Sequence, residues 1–253
     1  MLQYSHTSGV SNEKHSWRIG GGKKRRKKLH CFFSVFPSAM KKARYIVLEG
    51  PIGVGKTSLA TLLAEEFSAR TLFENVEDNP FLAEFYKNRS KNAFKAQLYF
   101  LISRYQQQLT LAQIDLFQTT TVSDYLFAKD RIFAGINLDE GEFSLYEKIY
   151  RVLNPMVPKP DLVIYLQAEF DAIMRRIKGR NISYERGLDA DYLKKVIDAY
   201  NEFFFNYSET PLLVINTTNI DFVALESDFK ELVKEITEFK SGTQYFVPLG
   251  SEP

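Results

Sequence analysis

From Met40 onward the sequence contains no histidine, cysteine or tryptophan. The few residues of these types all lie in residues 1–39: His6, His15, His30, Cys31 and Trp17. The rest of the chain therefore has no cysteine nucleophile, no histidine general base and no histidine or cysteine ligands for zinc. Its chemistry must use carboxylates, lysine, arginine, hydroxyl groups and backbone amides. The chain has only one cysteine and cannot form an internal disulfide. The sequence therefore lacks the disulfides that are typical of secreted proteins.

The sequence also lacks a long hydrophobic run. No apolar stretch approaches the roughly 20 residues that a membrane-spanning helix needs, so we expect no membrane partner and a cytoplasmic location. The 253 residues are 45% hydrophobic and 25% charged, which is ordinary for a protein with one sizeable α/β core. We expect one folded domain over residues 40–240 and a flexible C-terminal tail over residues 241–253.

Positive charge is concentrated before Met40. Residues 1–39 hold eight lysine or arginine residues and one acid, which leaves 25 of the 33 basic and 30 of the 31 acidic residues for the rest of the chain. The predicted domain is therefore mildly acidic. We expect that the folded domain does not bind nucleic acid.

Residues 1–39 combine a triple glycine, a basic hexamer and a short aromatic run, with no sustained helix or strand period. We expect this basic segment to be disordered. A basic hexamer is also typical of nuclear signals and nucleic-acid patches, and an acid-poor N-terminus is typical of transit peptides. A further hypothesis is that translation starts at Met40, because a strand pattern and a glycine-rich loop follow it at once.

Short apolar segments alternate with helical patterns after Arg44. The first, Tyr45 to Leu48, is brief and partly β-branched and is followed by Gly50, which is typical of a buried parallel strand. Four further apolar segments end at Phe73, Asp124, Leu166 and Ile215. The helical stretches cover residues 56–67, 92–117, 125–157, 171–177, 191–207 and 222–239. This alternation predicts a three-layer α/β fold with a parallel sheet of about five strands and helices on both faces.

A glycine-rich loop follows the first strand. It fits the phosphate-binding pattern (P-loop) G-x-x-x-x-G-K-[ST] and lies between a strand and a helix, as that pattern requires. Backbone N–H groups of such a loop surround phosphates, and the helix N-terminus adds partial positive charge. We expect Lys56 to reach the terminal phosphates and Thr57 to supply a hydroxyl ligand to Mg²⁺. The expected ATP-binding residues of the loop are Gly50, Pro51, Ile52, Gly53, Val54, Gly55, Lys56 and Thr57.

A P-loop alone does not distinguish an ATPase, a GTPase and a small-molecule kinase, but the sequence has no N-K-x-D guanine-binding motif and no D-x-x-G switch. Residues 45–57, 72–86, 93–104, 176–185 and 216–222 together resemble the deoxynucleoside kinase family, especially bacterial deoxyadenosine and deoxyguanosine kinases. The resemblance extends from Arg44 to about Phe239, and Phe73 to Pro80 is much more specific than the P-loop. It implies a P-loop kinase fold, ATP as donor, a deoxynucleoside acceptor and a homodimer.

The resemblance implies that Glu74, the first acid after the second strand, is the general base. The chemistry agrees, because phosphoryl transfer needs an acceptor hydroxyl that is oriented in line and relieved of its proton, and the domain has no histidine. The alternative is an acid that stabilises the dipole of a helix N-terminus. Glu77 and Asp78 fit this alternative better than Glu74 does.

Gln97 and Arg104 are seven residues apart on a predicted helix, on a face that also carries Phe94 and Leu101. A carboxamide can accept from and donate to the edge of a base at once, and the resemblance implies that Gln97 does so. It also implies that Tyr86 contacts the sugar 3′-hydroxyl. The alternatives are a polar pair at the solvent edge of the apolar stripe and a tyrosine that only packs.

Arg176 and Arg180 are one helical turn apart and precede a polar stretch that resembles the lid of the family. Arginines there would neutralise charge on the transferring group and exclude water. Glu185 matches the lid acid that reaches the sugar, whereas Ile182 stands where many relatives carry a second lid arginine. The alternatives are a solvated basic helix end and a register in which Arg175 acts instead.

The end of the third strand departs from the family pattern. Relatives have an acid followed by arginine and serine, whereas this chain has Asp124 followed by Tyr125. Asp124 is still expected to bind Mg²⁺, directly or through water. The missing arginine normally helps to hold the base carboxylate, so Lys129 or Arg131 is the expected replacement. Asp130 is expected to line the pocket for the nucleobase.

The sequence thus predicts ATP-dependent phosphorylation of the 5′-hydroxyl of a deoxynucleoside, with purines favoured. The expected catalytic residues are Glu74 as base and Lys56, Arg176 and Arg180 as charge stabilisers. One alternative is a nucleoside monophosphate kinase resembling thymidylate kinase, which would need a further arginine such as Arg104 or Arg131 for the acceptor phosphate. The other is a non-enzymatic nucleotide-binding module, which the arginine missing at Tyr125 favours.

Overall fold

The computed structural model describes residues 45–114, 120–180 and 189–250. The basic segment 1–39, the lid residue Glu185 and the side chain of Arg180 lie outside the described residues. The strands are β1 Tyr45–Glu49, β2 Arg70–Leu72, β3 Thr121–Ser123, β4 Leu162–Gln167, β5 Leu212–Asn216 and β6 Thr243–Phe246. The helices are α1 Lys56–Glu66, α2 Leu82–Lys87, α3 Arg89–Ile114, α4 Lys129–Asn137, α5 Glu140–Leu153, α6 Phe170–Arg180, α7 Ala190–Phe205 and α8 Glu226–Glu238. None of these helices is both long and apolar enough to cross a bilayer.

The strands form one parallel sheet in the order β2-β3-β1-β4-β5-β6. All five residues of β1 are buried, as its continuous apolar sequence predicts for a central parallel strand. The chain leaves β1 toward the β2 edge and later crosses to the opposite side at β4. In open α/β sheets such a change of direction leaves a crevice at the carboxyl ends of the strands, where ligands bind.

Residues of β1 point alternately into two apolar cores, one on each face of the sheet. Ile46 and Leu48 pack on one face with residues of α1 and α8, namely Leu59, Leu63, Leu232 and Ile236. Tyr45 and Val47 pack on the other face with residues of α4 and α7, namely Ile132, Val196, Tyr200 and Phe204. The predicted three-layer α/β architecture with helices on both faces is therefore confirmed.

The sheet has six strands in the described residues rather than about five. The additional strand, β6, pairs with β5 and lies inside residues 241–253, so the expectation of a flexible tail from residue 241 is wrong for these residues. β6 is only half-buried and four residues long, and Phe246 packs against the core that contains α1. Such a short edge strand has too few inward-facing residues for its period to be recognised.

The predicted helical stretch 125–157 contains two α-helices rather than one. The carboxylate of Asp139 accepts a hydrogen bond from the N–H of Glu142 at 2.8 Å, and the Glu142 carboxylate accepts from the N–H of Asp139 at 3.3 Å. This reciprocal capping box starts α5 and separates it from α4. α4 itself starts at Lys129, and this start decides the directions of the side chains that follow.

Replacing Leu63 with alanine should lower the free energy of unfolding by about 2–5 kcal/mol, because the fully buried side chain would leave a cavity. Equilibrium urea denaturation followed by circular dichroism measures the change. The matched control is Val223→Ala at an exposed position, which should change stability by less than about 0.5 kcal/mol. Equal effects of the two substitutions would contradict the place of Leu63 in the core.

Candidate active site

The loop between β1 and α1 has the backbone conformation that phosphate binding needs. Gly53 and Gly55 have φ angles of 84° and 111°, which glycine adopts without steric strain. A Cβ at Gly53 would lie 2.5 Å from the side chain of Ile177, and one at Gly55 would lie 2.8 Å from Phe222. Because Gly55 has no side chain to cap α1, the helix N-terminus can receive an anion.

The ammonium group of Lys56 folds back onto this loop. Its Nζ donates to the carbonyl oxygens of Gly50 at 2.8 Å and Pro51 at 3.1 Å. Burial lowers the pKa of Lys56, and repulsion by Lys129 lowers it further, to about 8 from 10.5. Phosphate oxygens are stronger acceptors for an ammonium group than neutral carbonyls are, so Lys56 can exchange the loop carbonyls for phosphate.

Asp124, immediately after β3, connects the P-loop helix to the segment after β2. Its Oδ2 accepts from the Thr57 hydroxyl at 2.6 Å, and its Oδ1 accepts from the N–H of Glu74 at 2.8 Å. The parallel pairing of β1 and β2 with β3 brings these strand ends together. A hydroxyl and a carboxylate therefore lie side by side, and both are hard oxygen donors of the kind that Mg²⁺ prefers.

Both carboxylate oxygens of Glu74 are paired with buried cations. Oε1 accepts from Nε of Arg104 at 2.9 Å and also from its Nη2, while Oε2 accepts from Nζ of Lys129 at 2.5 Å. Burial alone would raise the pKa of Glu74, but Arg104 and Lys129 together bring it well below its ordinary value. Glu74 is therefore ionised at neutral pH and can accept a hydrogen bond or a proton.

Of the two expected replacements for the missing arginine, Lys129 reaches Glu74 and Arg131 does not. Nε of Arg131 instead pairs with Glu147 at 3.0 Å, and half of its side chain is exposed. Tyr125, which occupies the position of that arginine, is fully buried and donates its hydroxyl to Gln107 at 2.9 Å. Of the two candidates, the structure thus places only Lys129 against Glu74.

A second buried network surrounds Asp130. Nε2 of Gln97 donates to the backbone carbonyl of Asp130 at 2.9 Å and to its Oδ1, and the Tyr146 hydroxyl donates to the same Oδ1 at 2.9 Å. Nη1 of Arg104 donates to Oδ2. Burial raises the pKa of Asp130, although Arg104 and the hydrogen bonds oppose this. Gln97 and Arg104 are both buried, so the alternative of a polar pair at the solvent edge is wrong.

Most of the predicted site residues line one cavity of about 640 Å³. The predicted residues in its wall are Ile52, Gly53, Lys56, Thr57, Glu74, Tyr86, Gln97, Arg104 and Asp124. Aromatic residues that the sequence analysis did not single out, Phe100 and Phe133 among them, also form its wall. An apolar cavity with a few convergent polar groups is the usual form of a small-molecule site.

Arg176 of α6 is not part of the described cavity wall. Its Nη1 donates to the carbonyl of Val54 at 3.2 Å and to the Thr217 hydroxyl at 3.0 Å, and its Nη2 donates to the carbonyls of Thr217 at 2.5 Å and Ile220 at 3.1 Å. The guanidinium therefore joins the P-loop to the segment after β5. Its expected contact with the transferring phosphoryl group stays a prediction.

Glu49, the last residue of β1, is a buried acid that the sequence analysis did not select. Its carboxylate accepts from the N–H of Gly50 at 2.9 Å, the N–H of Leu126 at 2.7 Å and the hydroxyl of Tyr200 at 3.0 Å. Burial raises its pKa, while Lys129 and Lys56 oppose the rise. A charged residue at the end of an apolar strand was the available signal in the sequence. Glu49 holds the start of the P-loop beside the segment that precedes α4.

A model of the deoxynucleoside kinase family matches residues 46–241. The chain belongs to this family. The kinase is 33% identical over 204 residues to the deoxyguanosine kinase of Bacillus subtilis, covering 79% of this chain and 99% of that protein. It is 34% identical over 209 residues to the deoxyadenosine kinase of Lactobacillus acidophilus, and the match covers 76% of this chain and 94% of that protein. The protein is thus a phosphotransferase that phosphorylates nucleosides.

Solved structures share the fold of this kinase. One is deoxyadenosine kinase from M. mycoides with the products dCMP and a flexible dCDP bound, which has a TM-score of 0.67 and 24% identity and covers 77% of the kinase and 100% of that chain. Deoxyadenosine kinase from M. mycoides with bound dATP gives a TM-score of 0.66 at 22% identity, with the same shares covered. The likeness supports the same P-loop architecture around the sheet.

When ATP binds above about pH 8, the amino group of Lys56 should take up a proton. The free kinase holds Lys56 with a pKa of about 8, and bound phosphates favour the charged ammonium and raise this pKa. Near pH 9 most Lys56 is neutral before binding, so uptake should approach about one proton, whereas near pH 7 it should be close to zero.

Isothermal titration calorimetry with ATP, in buffers of different ionisation enthalpy, measures this proton uptake. The control is Lys56→Arg, whose guanidinium stays charged throughout this range and should remove most of the uptake. Equal apparent enthalpies in the different buffers near pH 9 would contradict the lowered pKa.

Proposed function

We propose that this kinase transfers the γ-phosphoryl group of ATP to the 5′-hydroxyl of a deoxynucleoside, with purines favoured, in nucleoside salvage. The observation that carries the proposal is the common cavity of Lys56 and Glu74, a phosphate-binding cation and an ionised carboxylate. The names of the two relatives, a deoxyguanosine kinase and a deoxyadenosine kinase, support a purine deoxynucleoside as acceptor.

The order of side chains along the cavity supports one orientation of the substrates. ATP would place its phosphates at the P-loop near Lys56. The sugar of the acceptor would lie between Glu74 and Tyr86, and its base would lie beside Gln97 and the Asp130 network. Nε2 of Gln97 is committed to Asp130, so its Oε1 is the group that remains to accept a hydrogen bond from a base.

Glu74 would act as the base of the transfer. The 5′-hydroxyl gives its proton to the carboxylate while its oxygen bonds to the γ-phosphorus. The bond from that phosphorus to the bridging oxygen breaks, and its electron pair leaves with ADP. Because the transition state is loose, orientation of the hydroxyl contributes more than strong basicity does. A carboxylate with a lowered pKa suits this role, since it stays ionised over the working pH range.

Mg²⁺ fits the pair formed by Thr57 and Asp124. Their oxygens are 2.6 Å apart and both residues line the cavity. Among the described residues no group of three or more histidine, cysteine or acidic side chains could hold a metal. This suits Mg²⁺, which is usually bound by one or two carboxylates together with substrate phosphates and water. When bound, Mg²⁺ neutralises negative charge on the phosphates.

The arginines that a nucleoside monophosphate kinase would need are engaged elsewhere. Arg104 is paired with Glu74 and Asp130, and Arg131 is paired with Glu147 on the surface. Arg104 is the one arginine in the cavity wall formed by the described residues. This arrangement favours an uncharged nucleoside over a monophosphate as acceptor.

A homodimer remains part of the proposal, as does a cytoplasmic location. α3 and α5 pack against each other, and they and the following turn expose large apolar side chains: Ile102, Leu145, Val152 and Met156. Covering these side chains with a second copy would remove apolar surface from water. Analytical ultracentrifugation tests the dimer, and cell fractionation tests the location.

The proposed reaction is tested by ADP formation from ATP and Mg²⁺ with each of four deoxynucleosides and, separately, their monophosphates. Turnover on deoxyadenosine or deoxyguanosine is expected. Lys56→Ala is the control, because it removes the cation for the terminal phosphates. Turnover on monophosphates alone would replace the proposal with a monophosphate kinase.

The substitution Glu74→Gln should lower kcat by about 10² to 10⁴-fold, because an amide cannot take the proton of the hydroxyl. ATP affinity should stay within about threefold of the original, since the P-loop is unchanged. Steady-state kinetics and titration with a fluorescent ATP analogue measure the two effects. Glu84→Gln, at an exposed position on α2, is the matched control. Near-normal kcat in the Glu74 variant would exclude Glu74 as base.

A further inference from the structure

The buried carboxylate of Glu49 contacts three separate parts of the kinase. Its Oε1 accepts from the N–H of Gly50, the first residue of the P-loop, at 2.9 Å and from the hydroxyl of Tyr200 of α7 at 3.0 Å. Its Oε2 accepts from the N–H of Leu126, which lies between β3 and α4, at 2.7 Å. The two backbone donors are therefore held by different oxygens of one carboxylate.

On the side of the phosphate donor, Glu49 holds the residue at which the P-loop begins. The carbonyl oxygen of Gly50 accepts from Nζ of Lys56 at 2.8 Å. Lys56 and Thr57 are the first two residues of α1, and both line the cavity. A displacement of Gly50 would therefore be passed on to the groups that are expected to hold the phosphates.

On the side of the acceptor, Glu49 holds the turn from which α4 begins. The carbonyl oxygen of Leu126 accepts from the N–H of Lys129, the first residue of α4, at 3.0 Å. Lys129 and Phe133 of this helix line the cavity. Tyr200 meets the ring of Phe133 edge to face, with 6.1 Å between the ring centroids. The place of this cavity wall relative to the P-loop thus depends on the Glu49 carboxylate.

A different contact also joins these two sides, but it consists of groups that are proposed to bind Mg²⁺. The Thr57 hydroxyl donates to Oδ2 of Asp124 at 2.6 Å, and both residues line the cavity. Glu49 is completely buried and does not belong to the cavity wall formed by the described residues. Its contacts can therefore stay intact while the substrates bind and react.

We propose that Glu49 is a positioning residue of the phosphoryl transfer, which sets the distance between the P-loop and the wall that α4 forms beside the acceptor. The inference rests on the proposed function. The 5′-hydroxyl oxygen bonds to the γ-phosphorus, its proton passes to Glu74, and the bond to the bridging oxygen breaks with its electron pair on ADP. Glu49 takes part in none of these exchanges, but a misplacement of about 1 Å between the reactants can cost about 10²-fold in rate.

Three variants separate geometry from charge and from stability. Glu49→Gln keeps the length of the side chain but offers one acceptor oxygen, so its NH₂ group would face one of the two backbone N–H groups. Glu49→Asp keeps the charge, but its shorter side chain cannot reach both N–H groups. Tyr200→Phe is the matched control, because it removes a hydrogen bond of the same carboxylate and leaves both backbone contacts in place.

Steady-state kinetics with ATP, Mg²⁺ and the best deoxynucleoside tests the role, and urea denaturation measures the stability of each variant. Both Glu49 variants should lower kcat about 10²-fold. The KM values for ATP and for the deoxynucleoside should each change less than about threefold, because Glu49 contacts neither substrate. Tyr200→Phe should keep kcat within about threefold of the unaltered kinase, even though it loses stability.

The outcomes separate the inference from the proposed function. Absence of turnover by the unaltered kinase on every acceptor would overturn the proposed function and the inference with it. If the unaltered kinase turns over, near-normal kcat in Glu49→Asp would leave a role for charge alone and overturn the inference. An equal loss of kcat in Tyr200→Phe would do the same, because it would follow stability. If one Glu49 variant does not fold, the other decides, and failure of both would assign Glu49 to folding and reject the inference.

Discussion

The guanidinium of Arg104 lies between two buried carboxylates, Glu74 and Asp130, and the rest of the site is arranged around that bridge. Each acid belongs to a different element, so this one side chain connects the segment after β2 to α4 through α3. Removing one partner from a buried ion network leaves an uncompensated charge, which is costly. The bridge therefore fixes the position of Glu74 relative to the buried hydrogen-bond network around Asp130.

The described domain has no histidine or cysteine, and its site is built instead from buried carboxylates, lysines and an arginine. The described site contains the acids Glu49, Glu74, Asp124 and Asp130 and the cations Lys56, Arg104 and Lys129. These opposite charges nearly compensate one another, which limits the cost of keeping them out of water. A bound ATP adds several negative charges, so it is best accommodated together with a cation. The pair Thr57 and Asp124 provides oxygens for one.

Local patterns in the sequence predicted the P-loop and the face shared by Gln97 and Arg104, because each depends on spacing within one element, whereas Glu74 was selected through the resemblance to the family. They could not decide between Lys129 and Arg131, since the choice depends on where α4 begins. Glu49 was missed because two of its partners, Leu126 and Tyr200, lie 77 and 151 residues away. Helical spacing likewise predicted that Arg176 shares a helix face with Arg180. It could not predict the carbonyl groups that Arg176 contacts, because they belong to the P-loop and to the segment after β5, which are distant in the sequence. The four-residue β6 is stabilised by its pairing with β5, which no local pattern reveals.

Lys129 and Asp130 are consecutive, yet one contacts Glu74 and the other belongs to the buried network with Gln97 and Tyr146. In the proposed reaction, recognition of the base and the rate of transfer would consequently be coupled through the first turn of α4. A change there that alters the Asp130 network would also displace the ammonium group next to the Glu74 carboxylate. Gln97 and Tyr146, the other residues that bond Asp130, lie on α3 and α5, so substitutions of these two side chains leave the first turn of α4 in place.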